Sequence, residues 1–318
     1  GWSSKKNSEK ATAKAKCTVN KNITLYAVQK KAVQLTFHRC DGSTWQKTTL
    51  AKGSSYSLPG VRDAEGYTFM GWSTKPMQSV SPQYEAEEKI TVNGNVDLYA
   101  VVFNRTTETD LTEDQLPQVD IYKYKQVIFV GDSRTEFMEN VLTGMGESAT
   151  KNVKFVCSAG KGLDWFTTTG WAQLYSIVQH DSNSILSKKT AVIFNFGVND
   201  LSKSADYAEY YNWIAPQLKS KGCELYFMSV NPVNRLMLPN AGRADRSEAA
   251  VRSFNQYMKA NLSSAYTYID MYFYLKSTGY SFASDHYGTG TVDDGLHYTT
   301  RTYKRIFAKC MDSLRVPA

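Results

Sequence analysis

From residue 123 onward the chain alternates between two kinds of apolar pattern. Short, mostly apolar runs occur at Val127-Ile128-Phe129-Val130, Val153-Lys154-Phe155-Val156, Ala191-Val192-Ile193-Phe194, Leu225-Tyr226-Phe227-Met228 and Tyr266-Thr267-Tyr268-Ile269. Runs of this kind suit strands covered on both faces. Between and after them apolar positions recur at helical spacing: Phe137, Met138, Val141, Leu142 and Met145; Tyr207, Tyr211, Ile214 and Leu218; Ala250, Phe254, Tyr257 and Met258; Tyr303, Phe307, Cys310 and Leu314. Strand and helix therefore alternate across residues 123–318, which predicts an α/β domain with a parallel sheet wound on both sides by right-handed crossovers. Ligands bind such sheets outside the carboxyl ends of the strands. The residues just after each apolar run are where chemistry is expected.

The N-terminal part follows a different pattern. Gly1-Trp2-Ser3-Ser4-Lys5 is echoed by Gly71-Trp72-Ser73-Thr74-Lys75, and Leu25-Tyr26-Ala27-Val28 by Leu98-Tyr99-Ala100-Val101, at offsets of 70 and 73 residues. Residues 1–31 thus read as the second half of a truncated repeat, and residues 32–103 as a complete unit. Within that unit Val33-Gln34-Leu35-Thr36-Phe37 and Tyr67-Thr68-Phe69-Met70 alternate as half-buried strands, with turns at Leu58-Pro59-Gly60 and Asn93-Gly94-Asn95. A small all-β module is expected. Residues 104–122 carry few apolar positions and read as a linker.

The motif Gly66-Tyr67-Thr68-Phe69-Met70-Gly71-Trp72, closed by Leu98-Tyr99-Ala100, resembles the internalin-type B-repeat, also called the Listeria-Bacteroides repeat. The resemblance implies a β-grasp-like unit used as a spacer or adhesive stalk on bacterial surface proteins. Trp72 and Tyr67 are expected in the core, with a ligand platform as the alternative.

Composition narrows the classes. The chain has 318 residues, 21% of them charged and 42% hydrophobic, as in globular proteins. No apolar run of membrane-spanning length occurs. The net charge of +7 is held entirely within residues 1–31, where eight lysines face one acid, Glu9. With no basic stripe through the domains, nucleic-acid binding is not expected. The Lys-rich stretch reads as a solvated arm, with contact to an anionic cell-wall polymer as the alternative. Five cysteines (17, 40, 157, 223 and 310) include no C-x-x-C pair, which argues against a zinc or redox motif. Cys157 and Cys223 suit buried thiols, and Cys17 and Cys40 could bridge in an oxidising compartment. No signal peptide stands in the sequence, and one removed beforehand is compatible with it.

The strand ends carry Gly131-Asp132-Ser133, Ser158-Ala159-Gly160-Lys161-Gly162, Gly197-Val198-Asn199-Asp200 and Asn231-Pro232-Val233, and near the C-terminus stands Asp294-Gly295-Leu296-His297. A serine in a tight turn that opens a helix presents its hydroxyl to a substrate while nearby backbone N–H groups face a developing oxyanion. It needs a base, and the chain has four histidines. His38 falls in the β module, His180 ends a helix without an orienting acid, and His286 adjoins Asp285, too close for both side chains to turn to one point. His297 is the candidate, with Asp294 three residues earlier to hold its tautomer.

These four blocks, in this order, resemble the SGNH hydrolases, the superfamily of GDSL esterases and lipases. The resemblance implies a flavodoxin-like three-layer α/β/α parallel sheet. It further implies Ser133 as nucleophile, His297 as general base and then acid, and Asp294 as orienting carboxylate. The oxyanion hole would comprise the Ser133 N–H, the Asn199 side-chain amide and a glycine N–H, from Gly162 or, as the alternative, Gly160. Arg134 replaces the leucine of the best-known members. It is expected either to meet substrate or to serve the helix start, and Asn231 either to line the pocket or to shape a turn. Asp132 and Asp200 are expected to hold their loops. No metal or organic cofactor is required. The expected activity is a secreted or surface-displayed serine esterase that removes acetyl or another short acyl group from a carbohydrate. An O-acyltransferase of the same fold and a non-catalytic glycan-binding adhesin are the alternatives.

Overall fold

The N-terminal part is assembled from short strands. In the computed structural model, which describes residues 1–8, 10–12, 18, 20–120, 123–180, 189–283, 289–290 and 292–314, β1 (Trp2–Ser3) pairs antiparallel with β2 (Tyr26–Ala27). The module that follows holds β3 (Ala32–His38), β4 (Thr44–Ala51), β5 (Ser54–Ser57), β6 (Tyr67–Ser73), β7 (Lys89–Val92) and β8 (Val96–Asn104). Its main sheet runs β4-β3-β8-β6, with the outer pairs antiparallel and β3 parallel to β8, and β5 pairs with β7 at the side. The internal echo in the sequence has a structural counterpart: Trp2 faces Ala27 and Ser3 faces Tyr26, as Trp72 faces Ala100 and Ser73 faces Tyr99.

The module core is Val33, Leu35, Phe37, Leu58, Phe69, Trp72, Val92, Leu98 and Ala100. Trp72 is fully buried, with its indole N–H on the Pro59 carbonyl at 2.9 Å, whereas Tyr67 is exposed. The alternation in β6 predicts one wet face, but every residue from Thr68 to Ser73 is buried. The reason is a second neighbour: Met70, Val101 and Phe103 join the apolar core of the C-terminal domain. Residues 104–120 also pack down. Leu116 and Val119 are buried in that core, and the buried Glu108 carboxylate pairs with Arg305 at 3.0 Å and accepts from Ser281 at 2.6 Å.

The C-terminal domain contains β9 (Tyr124–Gly131), α1 (Ser133–Met145), β10 (Val153–Cys157), a short α2 (Leu163–Trp165) leading through a π-turn into α3 (Trp171–His180), β11 (Lys189–Asn195), α4 (Ser204–Ser220), β12 (Cys223–Met228), α5 (Glu248–Asn261), β13 (Tyr266–Ile269), α6 (Met271–Thr278) and α7 (Thr300–Ser313). The strands form one parallel sheet in the order β10-β9-β11-β12-β13, the flavodoxin-like order. Successive side chains on a strand point to opposite faces, and the two cores divide accordingly. Val127, Phe129, Ala191 and Ile193 pack against α1, α6 and α7, while Ile128, Val130, Val192 and Phe194 pack against α3, α4 and α5. The helical stripes expected on α4 and α7 are buried as read. On α5 the buried residues are Glu248, Val251, Phe254, Asn255 and Met258, and Tyr257 is exposed, so the face turned inward includes the polar Glu248 and Asn255, which an apolar pattern does not mark.

Cys223 and Cys310 are buried, Cys157 is half-buried and Cys40 is exposed. Cys17, and with it the expected bridge to Cys40, lies outside the described residues. No helix among the described residues is long and apolar enough to cross a membrane.

Candidate active site

β9 ends at Gly131 and α1 begins at Ser133, with Asp132 as the N-cap between them. The Asp132 carboxylate accepts from the Arg134 N–H at 3.0 Å. This capping fixes the turn and leaves Ser133 at the helix start, on the carboxyl side of the sheet. Burial pushes the Asp132 carboxyl up to about 6, against the opposing pull of Arg134.

The structure brings Ser133, His297 and Asp294 together. His297 Nε2 lies 2.9 Å from Ser133 Oγ, and Nδ1 lies 2.7 Å from Asp294 Oδ2. Asp294 is held on all sides. Its Oδ1 accepts from the Leu296 and His297 N–H groups at 2.9 and 2.8 Å, and its Oδ2 also accepts from Arg243 Nε at 3.1 Å. Phe137 stacks on the imidazole at 4.3 Å between ring centres. Burial raises the Asp294 carboxyl, but the His297 hydrogen bond and charge and the two backbone donors outweigh it, and its pKa is lowered. Burial likewise depresses His297 below its ordinary value. Arg134 and Arg243 add to this, and Asp294 opposes it. A neutral imidazole with its proton on Nδ1 can take a proton at Nε2 from the serine hydroxyl.

Asn199 follows β11, and its side chain is fixed at both ends. Nδ2 donates to the Lys161 carbonyl at 2.8 Å, and Oδ1 accepts from Arg246 at 2.7 Å. An amide nitrogen has two hydrogens, so the second can face another acceptor. Among the described residues no hydrogen bond is made by the N–H of Ser133 or of Gly162. A Cβ at Gly162 would lie 2.3 Å from Asp200 Oδ2, so this position needs glycine for the close approach of Asp200. Asp200 in turn accepts from the Leu163 N–H at 2.9 Å and from the Tyr207 hydroxyl at 2.8 Å, holding its loop. Gly160 has φ +70 and open space around it.

Arg134, for which the sequence leaves open a substrate contact or a role at the helix start, is 3% exposed, and its guanidinium donates to the carbonyls of Leu296 at 3.0 Å, Asn231 at 2.9 Å and Pro232 at 2.8 Å. A buried guanidinium must spend its donors on protein acceptors, so Arg134 ties the fourth strand-end loop to the loop of His297. Asn231 is also buried, its carbonyl held by Arg134, and its Oδ1 has no partner among the described residues.

Of the other histidines, His38 pairs with Asp97 at 2.9 Å in the module and His180 closes α3. His286 lies outside the described residues. No cluster of three or more metal-ligating side chains occurs among the described residues. Two residues escaped the sequence reading, Arg243 behind Asp294 and Arg246 behind Asn199. Both stand in the polar loop before α5, and the one available signal was that this loop follows the fourth strand end.

An α/β sheet with a serine, a histidine and an aspartate joined at its carboxyl edge defines the architectural class. Residues 127–310, more than half of the chain, match the GDSL-like Lipase/Acylhydrolase family, and the chain belongs to it; it carries a hydrolase domain of that family. Residues 34–101 match the Listeria-Bacteroides repeat domain. Solved structures similar to this chain include a Bacteroides fragilis NCTC 9343 protein assigned as an acylhydrolase, with 15% identity and TM-score 0.43, covering 63% of this chain and 92% of that one. The acetyl xylan esterase AlAXEase has 11% identity and TM-score 0.40, covering 60% and 100%. Protein YXIM of Bacillus subtilis has 12% identity and TM-score 0.38, covering 89% and 98%. No curated protein matches the chain in sequence.

Proposed function

We propose that the protein is a serine esterase that removes acetyl or another short acyl group from a carbohydrate through an acyl-serine intermediate. The observation that carries this reading is the continuous hydrogen-bonded line from Ser133 Oγ through His297 to Asp294, at 2.9 and 2.7 Å. In the first half-reaction Ser133 Oγ attacks the ester carbonyl carbon and its proton passes to His297 Nε2. The C–O bond to the sugar oxygen breaks, and Nε2 returns the proton to that oxygen. In the second half, water gives a proton to Nε2 and attacks the acyl carbon, the bond from that carbon to Ser133 Oγ breaks, and Nε2 returns the proton to Oγ, releasing the carboxylic acid. The negative oxygen formed in each half is met by the Ser133 N–H, the Gly162 N–H and the second N–H of Asn199.

The carbohydrate acceptor and a secreted or surface location are supported by the company of the Listeria-Bacteroides repeat, and the lysines of residues 1–31 would meet an anionic wall polymer. In this reading residues 32–103 form the repeat module, 104–122 the connection and 123–318 the catalytic domain.

The test compares nitrophenyl acetate, butyrate and octanoate, with Ser133→Ala alongside. Turnover that depends on Ser133 and falls steeply with chain length is expected, and acetylated glycans are the next substrates. Absence of Ser133-dependent turnover on every ester by a folded protein would overturn the reading.

A further inference from the structure

The loop that carries Asp294 is held by groups that lead back out of the hydrolase domain, one directly and one through Asn234. On one side, Asp293 pairs through its carboxylate with Arg105, which stands where β8 leaves the module. On the other side, the Gly295 carbonyl accepts from the Asn234 N–H at 2.8 Å. Both holds meet at one module residue. Arg105 donates to Asp63 Oδ2 at 2.7 Å, and the Asn234 side-chain amide donates to Asp63 Oδ1 at 2.8 Å. Asp63 is itself fixed, since Oδ1 also accepts from the Phe69 N–H at 2.9 Å. Arg105 is anchored in the module through its own N–H on the Gly66 carbonyl and its Nε on Thr68, both at 2.9 Å. A third line runs from Arg62, which donates to the Asn240 side chain at 2.7 Å, while Asn240 donates to the Asp293 carbonyl at 2.9 Å.

We infer that Asp63 of the repeat module and Arg105, at the start of the connection that leaves it, are positioning residues for the proposed triad, setting Asp294 through its two chain neighbours. The module is then a working part of the hydrolase and not only a spacer in front of it. The inference rests on the assignment of Asp294 under the proposed function. It has a physical basis beyond proximity. A carboxylate orients an imidazole only while its own position is fixed, and displacement of a catalytic group by about 1 Å costs up to about a hundredfold in rate. Both immediate neighbours of Asp294 are held by groups that are buried or half-buried, Asp293 by the ion pair with Arg105 and Gly295 by the Asn234 N–H, and the charged one of these is the stronger.

The test uses the full chain and the variant Arg105→Met, which keeps bulk and removes the bridge to Asp293. Arg105→Lys serves as the conservative partner, and Glu87→Gln, which weakens the module's separate contact with Arg235, as the control. Two readouts are taken on proteins shown to be folded: steady-state kinetics on nitrophenyl acetate, and the downfield proton NMR signal of the His297 Nδ1–H. Arg105→Met is expected to lower kcat by about tenfold or more with little change in KM, and to shift or broaden the His297 proton. Arg105→Lys should recover part of both, and Glu87→Gln should alter neither. An unchanged kcat and an unchanged His297 signal in Arg105→Met would overturn the inference. If the wild-type chain has no Ser133-dependent turnover, the functional reading falls by itself, and the NMR signal alone decides whether Arg105 positions the Asp294–His297 pair.

Discussion

Arg246 and Asn199 are joined by a hydrogen bond of 2.7 Å from the guanidinium to the amide oxygen. The same guanidinium also holds the backbone carbonyl of Val198 at 2.7 Å. With its oxygen engaged, the Asn199 amide cannot flip, and its NH2 group stays on the Lys161 carbonyl side, where the proposed oxyanion hole needs it. Loss of an oxyanion donor of this kind costs about 2.7–4 kcal/mol of transition-state stabilisation. Asn199→Ala should therefore lower kcat by roughly a hundredfold to a thousandfold with little effect on KM. Arg246→Ala should lower kcat by less, about tenfold, since the amide persists but is no longer locked. Equal effects on KM and kcat, or none, would remove Asn199 from the proposed oxyanion hole.

Ser133→Ala and His297→Ala are expected to abolish hydrolysis while the melting transition is retained. Asp294→Asn is the more informative change. Both carboxylate oxygens accept from N–H donors, so an asparagine in either orientation turns its own NH2 toward donors. It should drop kcat by about 10⁴ and also reduce stability. Full activity in Asp294→Asn would contradict the triad.

The pH profile follows from the direction of the His297 shift. Because the neutral imidazole is favoured in the fold, the pKa of His297 lies below its ordinary 6.5. The acid limb of kcat/KM should accordingly fall below pH 6.5. The same group contributes stability that is present above pH 6.5 and is lost as pH falls through its folded pKa. An acid limb above 6.5, measured on a non-ionising ester, would be inconsistent with a buried base in this setting.

Asp132 gives the opposite sign. Its carboxyl rises from 3.8 to about 6 in the fold, so its contribution to stability is present below about pH 4 and is lost as pH rises through about 6. Asp132→Asn keeps the oxygen that caps α1 and removes the buried charge. It should raise stability at pH 8 relative to pH 5 by on the order of 1 kcal/mol, read from thermal melts at the two pH values. A variant that loses more stability at pH 8 than at pH 5 would show that the pairing with Arg134 outweighs burial.

The two glycines of the second strand-end loop separate by substitution. Gly162→Ala forces Asp200 away from the Leu163 N–H and should cut activity at least tenfold, as about 1 Å of displacement does elsewhere. Gly160→Ala meets open space and carries only the strain of a left-handed residue, about 1 kcal/mol. Comparison of kcat for the two variants tests which of them shapes the site.

Much of this arrangement was legible because it is local. Five apolar runs became five parallel strands, and Ser133, Asn199 and the pair Asp294 and His297 stand directly after strands or three residues apart. What escaped depends on direction and on distance along the chain. Arg134 beside a serine leaves substrate contact and a structural role both open, because nothing in the sequence says that its guanidinium turns inward to three carbonyls. Arg243 and Arg246 lie in an unremarkable loop some 50 residues from the side chains they hold. The double burial of β6 comes from a second layer packed on it, which an alternation pattern does not encode.

Met70, Val101 and Phe103 lie in the same apolar core as Phe129, Ile193 and Phe307. The ammonium of Lys276, buried with them, is shared between Glu85 of the module and Glu248 of α5 at 2.9 Å each. Two sequence families thus meet in one interior, and the place where they join along the chain is not a place where the protein comes apart. Heating should give one melting event in which module and hydrolase are lost together. Recombination that exchanged this repeat for another would have to match the interior of the enzyme and not only the length of the segment replaced.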